Sequence, residues 1–122
     1  MADQPIAPDT ATPAFAAILY MPDLTDEDVM EQLREGHPNA LPILFDRFHR
    51  LVLKIALRIL RDPGEAEDVM QEIFLEIFRK AGQFDPAKGS AKTWILQYVY
   101  HRSLSRRQYL ARLAPCTRED IV

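Results

Sequence analysis

The residues best suited to chemistry in this chain gather in its last third. Between Pro86 and Arg118 there is no Asp or Glu, while Lys88, Lys92, Arg102, Arg106, Arg107, Arg112 and Arg118 all fall there. Aromatic side chains are interleaved with these cations. On a helix turning 100° per residue, Trp94, Tyr98, His101, Ser105, Tyr109 and Arg112 share one stripe flanked by Gln97, Arg102 and Gln108. Ring faces, hydrogen-bonding tips and positive charges therefore alternate along it. Single-stranded nucleic acid uses that combination: each unstacked base gains roughly 1 to 3 kcal/mol on an aromatic ring, and Lys or Arg hold the phosphates in salt-sensitive contacts. The same residues read as packing give a core Trp whose edges are covered by amphipathic tyrosines, and for Trp94 taken alone that is the simpler reading.

Catalysis finds little support. His37, His49 and His101 lie on different elements without HExxH spacing, and there is no Gly-rich phosphate loop or nucleophile elbow. The acids Glu65, Glu67, Asp68 and Glu72 have no Glu-x-x-His pair beside them, so a bundle metal site is not indicated and an acidic helix start is the plainer explanation. Cys116 is the single cysteine, which excludes an internal disulfide or a thiolate pair for zinc and suits a reducing compartment. The expectation is a binding module, not an enzyme, with no cofactor and no metal.

A length of 122 residues and 48% hydrophobic content fit one small globular domain. The longest apolar run, 14–21, lies between Pro13 and Pro22 and falls far short of the roughly 20 residues a membrane span needs. It also lacks the basic flank of a secretory signal, since no Lys or Arg precedes Arg34, and the expected location is the cytoplasm. The net charge of −3 conceals a gradient: −7 over residues 1–35, 0 over 36–82 and +4 over 83–122. A basic run at one end is the electrostatic footprint of a polyanion-binding face, or equally of a solvated helix face.

The elements that must position these residues are helical throughout, in a bundle of about four helices. Residues 1–23, with four prolines, read as a flexible leader before a domain over 24–113. Thr25 and Asp28 form a capping-box pattern for a first helix that Gly36 stops, with Val29, Met30 and Leu33 on its buried stripe. A second helix starts near Asn39, tolerates Pro42 in its first turn, and carries Leu44, Phe45, Phe48, Val52, Ile55, Ala56, Ile59 and Leu60 at helical spacing. Asp62, Pro63 and Gly64 break the pattern, and a third helix is predicted over 65–81, capped by Asp62 or Gly64. Residues 83–89 form an ordered loop, and Ser90 caps a fourth helix that ends near Leu113, where Pro115 stops it. Residues 114–122 then read as the start of a linker.

The third helix has two usable faces. Ala66, Val69, Met70, Ile73, Ile77 and Ala81 make the core side. Opposite them, Asp68, Gln71, Glu72, Leu75 and Arg79 project together with Phe78 at the margin, a polar surface with apolar residues set into it. Such a patch suits docking of a partner helix, while by periodicity alone Leu75 and Phe78 serve equally to reach a neighbouring helix. On the fourth helix, Ile95, Leu96, Val99, Ser103 and Leu110 take the core side.

Over 41–110 the chain resembles region 2 of an extracytoplasmic-function (ECF) sigma factor of bacterial RNA polymerase. The resemblance rests on the run Ala66-Glu67-Asp68-Val69-Met70-Gln71-Glu72-Ile73-Phe74-Leu75, then Phe84-Asp85, Gly89-Ser90, Thr93-Trp94-Ile95-Leu96 and the basic stretch from His101 to Arg107, in this order and spacing. It implies a sigma region 2-like all-α fold and two partners. The clamp coiled coil of the largest subunit of core RNA polymerase would dock on Asp68, Gln71, Glu72, Leu75, Phe78 and Arg79. The non-template single strand of the promoter minus-ten element would meet Phe84, Lys88, Ser90, Lys92, Trp94, Gln97, Tyr98, His101, Arg102, Ser105 and Arg106, with Phe84 and His101 lining a pocket for flipped bases. No nucleotide is hydrolysed in such opening, so captured bases must offset an unstacking cost of a few kcal/mol. An anti-sigma factor is a further partner the resemblance implies. The chain departs from the family pattern at His101, where many members carry Asn, and at Ser105. Nothing after Leu113 resembles the helix-turn-helix of region 4, so the chain reads as an N-terminal part of a longer protein or as region 2 alone. The alternative is a helical interaction module whose basic helix binds an acidic protein.

Overall fold

The computed structural model describes the backbone of residues 24–121 and the side chains of residues 24–114. The leader 1–23 and the Cys116 side chain lie outside the described residues. Among the described residues there are four helices, α1 (Asp26–Arg34), α2 (Ala40–Leu60), α3 (Pro63–Arg79) and α4 (Ala91–Ile121), with two short 3-10 turns, Ala81–Gln83 and Pro86–Lys88, between α3 and α4. The described residues contain no strand.

Local chemistry sets the helix ends. Thr25 and Asp28 exchange reciprocal side-chain bonds with each other's backbone at 3.0 and 3.1 Å, satisfying two N–H groups that the first turn of α1 leaves without partners. At its other end Gly36 adopts φ 93°, and the amides of Gly36 and His37 donate back to the Leu33 and Gln32 carbonyls. The Asp62 carboxylate accepts from the Gly64 and Glu65 amides, with Pro63 at the first helical position, where its missing N–H costs nothing. α3 accordingly begins at Pro63, two residues before the predicted start, and it ends at Arg79, leaving Ala81 in the following turn.

Packing follows the apolar stripes. Val29, Met30 and Leu33 of α1 meet Ala40, Ile43, Leu44, Phe48, Val52 and Ala56 of α2, the inner face of α3, and Ala91, Ile95 and Val99 of α4 in one core. Phe74, absent from the predicted core face, is buried as well, because Phe45 of α2 reaches over α3 and meets its ring edge-on at 5.0 Å. α2 packs along both α3 and α4. Glu27 of α1 adds a long-range cap, its Oε2 accepting from the Ala91 amide at 2.8 Å and so placing a carboxylate at the positive end of α4.

The predicted stop of the fourth helix near Leu113 is corrected: α4 continues through Pro115 to Ile121. A proline within a helix removes its own N–H bond, crowds the carbonyl four residues back and disfavours helical dihedrals at the residue before it, but it forbids none of them outright. The residues expected to begin a linker therefore keep helical backbone as far as Ile121.

Candidate functional site

α3 and α4 lie side by side, and a row of ion pairs closes the seam between them. Arg102 donates from Nε to Glu76 Oε1 at 2.7 Å and from Nη1 to Glu72 Oε1 at 3.3 Å. One turn on, Arg106 reaches Glu65 at 2.7 Å and the other oxygen of Glu72 at 2.6 Å. Lys80 holds Glu76 Oε2 at 3.0 Å. Spacing explains the row: Glu65, Glu72 and Glu76 stand seven and four residues apart, and Arg102 and Arg106 four apart, so each set lies on one side of its helix. The Glu76 side chain keeps 10% exposure. Burial pushes its carboxyl up, but the hydrogen bonds and charges of Arg102 and Lys80 outweigh this and hold it below the usual carboxylate range. The hydrogen bond to Glu65, aided by Glu72 and opposed by burial, holds the Arg106 guanidinium above its ordinary value.

These contacts divide the expected nucleic-acid residues. Arg102 and Arg106 are turned inward and engaged with carboxylates, so they do not stand with the outward cations that the sequence grouped with them. Lys88, Lys92, Arg107 and Arg112 are exposed and form no ion pair among the described residues. Glu72 is likewise not a free docking carboxylate, since both its oxygens are taken from α4. The remaining α3 candidates are exposed: Asp68, Gln71 and Arg79 as polar groups, with Leu75 at 55% and Phe78 at 43% among the large apolar side chains left in contact with solvent. Leu75 and Phe78 do not reach a neighbouring helix to be buried there.

Between the turns after α3 and the start of α4 lies a recess of about 200 Å³. It is lined by Phe84, Lys88, Ser90, Trp94 and Gln97 of the expected set, together with Gln83, Asp85, Gly89 and Thr93. Each wall has a local cause. Asp85 caps the second 3-10 turn by accepting from the Ala87 amide. Gly89, at φ 154° and ψ 175°, takes a backbone conformation essentially reserved for glycine and turns the chain into α4. Ser90 Oγ then accepts from the Thr93 amide at 3.1 Å, capping the helix. Phe84, buried at 2% exposure, meets the edge of Trp94 at 5.7 Å, and Trp94 meets Tyr98 at 4.9 Å. Trp94 and Tyr98 are half-buried and pack on the core, as the packing reading of the stripe has it, and Trp94 also lines the recess.

The other candidates lie beyond the recess wall. His101 is exposed one turn past Gln97 on the same side of α4, outside the lining. Ser105 and Tyr109 extend that exposed line, and Lys92 is exposed on the first turn. The residues of the seam that sequence reasoning missed are Glu76 and Lys80. Lys80 touches both regions, 3.0 Å from Glu76 and 5.8 Å above the Tyr98 ring, a cation–π contact that joins the ion-paired seam to the aromatic wall. Their four-residue spacing was the one available signal.

No group of three or more potential metal-binding His, Cys, Asp or Glu side chains occurs among the described residues, and no helix there is long and apolar enough to cross a membrane. Of the four acids weighed as a metal site, Glu65 and Glu72 are engaged by Arg106.

A family model described as sigma-70 region 2 matches residues 44–113. An ECF RNA polymerase sigma factor SigK of Mycobacterium sp. (strain KMS) is 39% identical over 83 residues, covering 67% of this chain and 43% of that protein. The SigK protein of Mycobacterium tuberculosis (strain ATCC 25618 / H37Rv) is 37% identical over 83 residues, covering 67% and 44%. The chain thus spans less than half the length of these curated relatives.

Proposed function

The chain belongs to the sigma-70 region 2 family, and from that premise we propose that it is the promoter-opening module of an ECF sigma factor, acting in the cytoplasm without enzymatic activity of its own. In this reading the outward face of α3, with Leu75 and Phe78 among Asp68, Gln71 and Arg79, docks on the clamp coiled coil of core RNA polymerase. The recess and the outward line of α4 receive bases and phosphates of the non-template strand. The observation that carries the reading is the separation of these two exposed faces by a seam whose charges are already paired. A partner on α3 and a nucleic acid on α4 then meet different side chains of one rigid pair of helices.

The recess is small beside the roughly 300 to 1,000 Å³ of sites for whole organic ligands, which suits one planar ring entering edge-first. Ring stacking on Trp94, amide hydrogen bonds from Gln97 and the Lys88 ammonium supply the three kinds of contact that a flipped nucleotide offers. His101 extends this surface with a ring that stacks and either donates or accepts a hydrogen bond.

The test is binding and opening of a promoter fork by the chain together with core polymerase, comparing wild type with His101→Ala. His101 is the sharper probe than Trp94, because Trp94 also packs on the core. The expected result is weaker capture of the single strand with unchanged folding. Equal affinity for duplex and single strand, with no effect of His101→Ala, would overturn the base-capture reading and favour an acidic protein as the partner of α4.

A further inference from the structure

On the far side of α4 from Arg102 and Arg106, a groove of about 290 Å³ runs between α2 and α4. Leu51, Ile55 and Ile59 form its apolar floor, Tyr100 one wall, and Lys54 and Arg58 its rim. Tyr100 is 47% exposed, and neither rim cation forms an ion pair among the described residues. Nothing in the polymerase or promoter reading uses this surface.

We infer that the apolar segment 14–21 of this same chain seats in the α2/α4 groove, held by its aliphatic and aromatic side chains and steered by the rim cations. Three observations choose this occupant. The first is where the described chain begins. Leu24 packs against the core, and Asp26 is tied to Arg47 of α2 at 2.9 Å, so the described chain begins beside Arg47. Arg47, Leu51, Lys54, Ile55 and Arg58 fall within about 100° of arc on α2, so the start of the described chain stands at the head of the groove's own stripe. Leu51 is one turn further on.

The second observation is length. From Leu51 to Ile59 the helix rises about 12 Å, and an eight-residue segment spans about the same if helical. Leu24 and Thr25 are fixed by the core and the α1 cap, so residues 22 and 23 make the link, and the three steps from Leu24 back to Met21 reach up to about 10 Å when extended, enough to bring the segment to the head of the groove. The third is chemistry. Phe15, Ile18 and Leu19 recur at the spacing of one helix face, and the leader's charged side chains are Asp3, Asp9 and Asp23, with no Lys or Arg, against a rim of Lys54 and Arg58. A groove this shallow suits individual side chains of a peptide better than a whole organic ligand.

Hydrogen exchange on the full chain tests the inference. In the wild type the amides of 14–21 should exchange at least tenfold slower than in an unstructured peptide, with protection falling as salt rises. Ile55→Glu should return them to peptide rates while the core stays protected. Should Ile55→Glu unfold the domain by circular dichroism, the double variant Lys54→Glu with Arg58→Glu, at two exposed positions, decides by a several-fold loss of protection. Unprotected amides at 14–21 in the wild type, or protection that both variants leave unchanged, would overturn the inference. Protection that depends on protein concentration would also overturn it, placing the segment of a second copy in the groove.

Discussion

Arg106 and Arg107 are neighbours in the chain, yet they belong to different parts of the molecule. Arg106 keeps 21% of its side chain exposed and holds two carboxylates of α3, whereas Arg107, 100° further round α4, is exposed without an ion pair among the described residues. The same division separates Arg102 from Lys92. A basic run in a sequence is thus not a measure of the charge a surface offers. In this domain the inward arginines tie α4 to α3, and the outward cations stay in contact with solvent, where the proposed polyanion would meet them. That tie also holds apart the two exposed faces to which the proposed function assigns different partners.

Breaking the seam should cost more than trimming the surface. The largest effect is expected for Glu76→Ala, which strips Arg102 and Lys80 of a carboxylate that is 10% exposed. Equilibrium urea unfolding should show a loss of about 2 kcal/mol, below the 3 to 5 of fully buried pairs because Arg102 can still reach water. Acid should expose the same contribution. The Glu76 carboxyl titrates below its unfolded value, so its stabilisation is complete above the unfolded pKa and disappears as pH falls through the lower folded one. Unfolding followed from pH 6 to pH 3 should therefore show a steeper loss in the wild type than in Glu76→Gln.

Arg106→Ala should be milder, about 1 kcal/mol by the same urea measurement, since Glu65 and Glu72 are 31% and 39% exposed and rehydrate readily. Arg107→Ala should leave stability within about 0.5 kcal/mol. Its signature lies elsewhere: affinity for single-stranded DNA measured against salt should lose about one unit of slope, as expected for one lost phosphate contact. An Arg107→Ala chain with an unchanged slope, or an Arg106→Ala chain that loses slope without losing stability, would reverse the assignment of the two arginines.

Much of this architecture was legible in the sequence, because caps and stripes are local. Thr25 with Asp28, Gly36, Asp62 with Pro63, and Ser90 announce helix ends through bonds that reach three residues or fewer, and the inner faces of α1 and α3 follow from 3.6-residue periodicity. The exposed α3 patch was legible for the same reason. What could not be read depends on a partner far away in the chain. Glu76 belonged to neither face read on the third helix, and its partner Arg102 lies 26 residues on. Phe74 is covered by Phe45, and Glu27 caps a helix 64 residues away. Pro115 failed as a stop signal because its penalty is one bond and some crowding, which a helix can carry.

The division between the two faces is tested most directly by co-elution of this chain with bacterial core RNA polymerase, run in parallel for wild type, Leu75→Asp and His101→Ala. Leu75 is exposed, so Leu75→Asp should keep the helical circular dichroism of the wild type while losing co-elution, and His101→Ala should keep both. A folded Leu75→Asp chain that still co-elutes would contradict the α3 docking face. Loss of co-elution in His101→Ala would show that the two faces do not act separately.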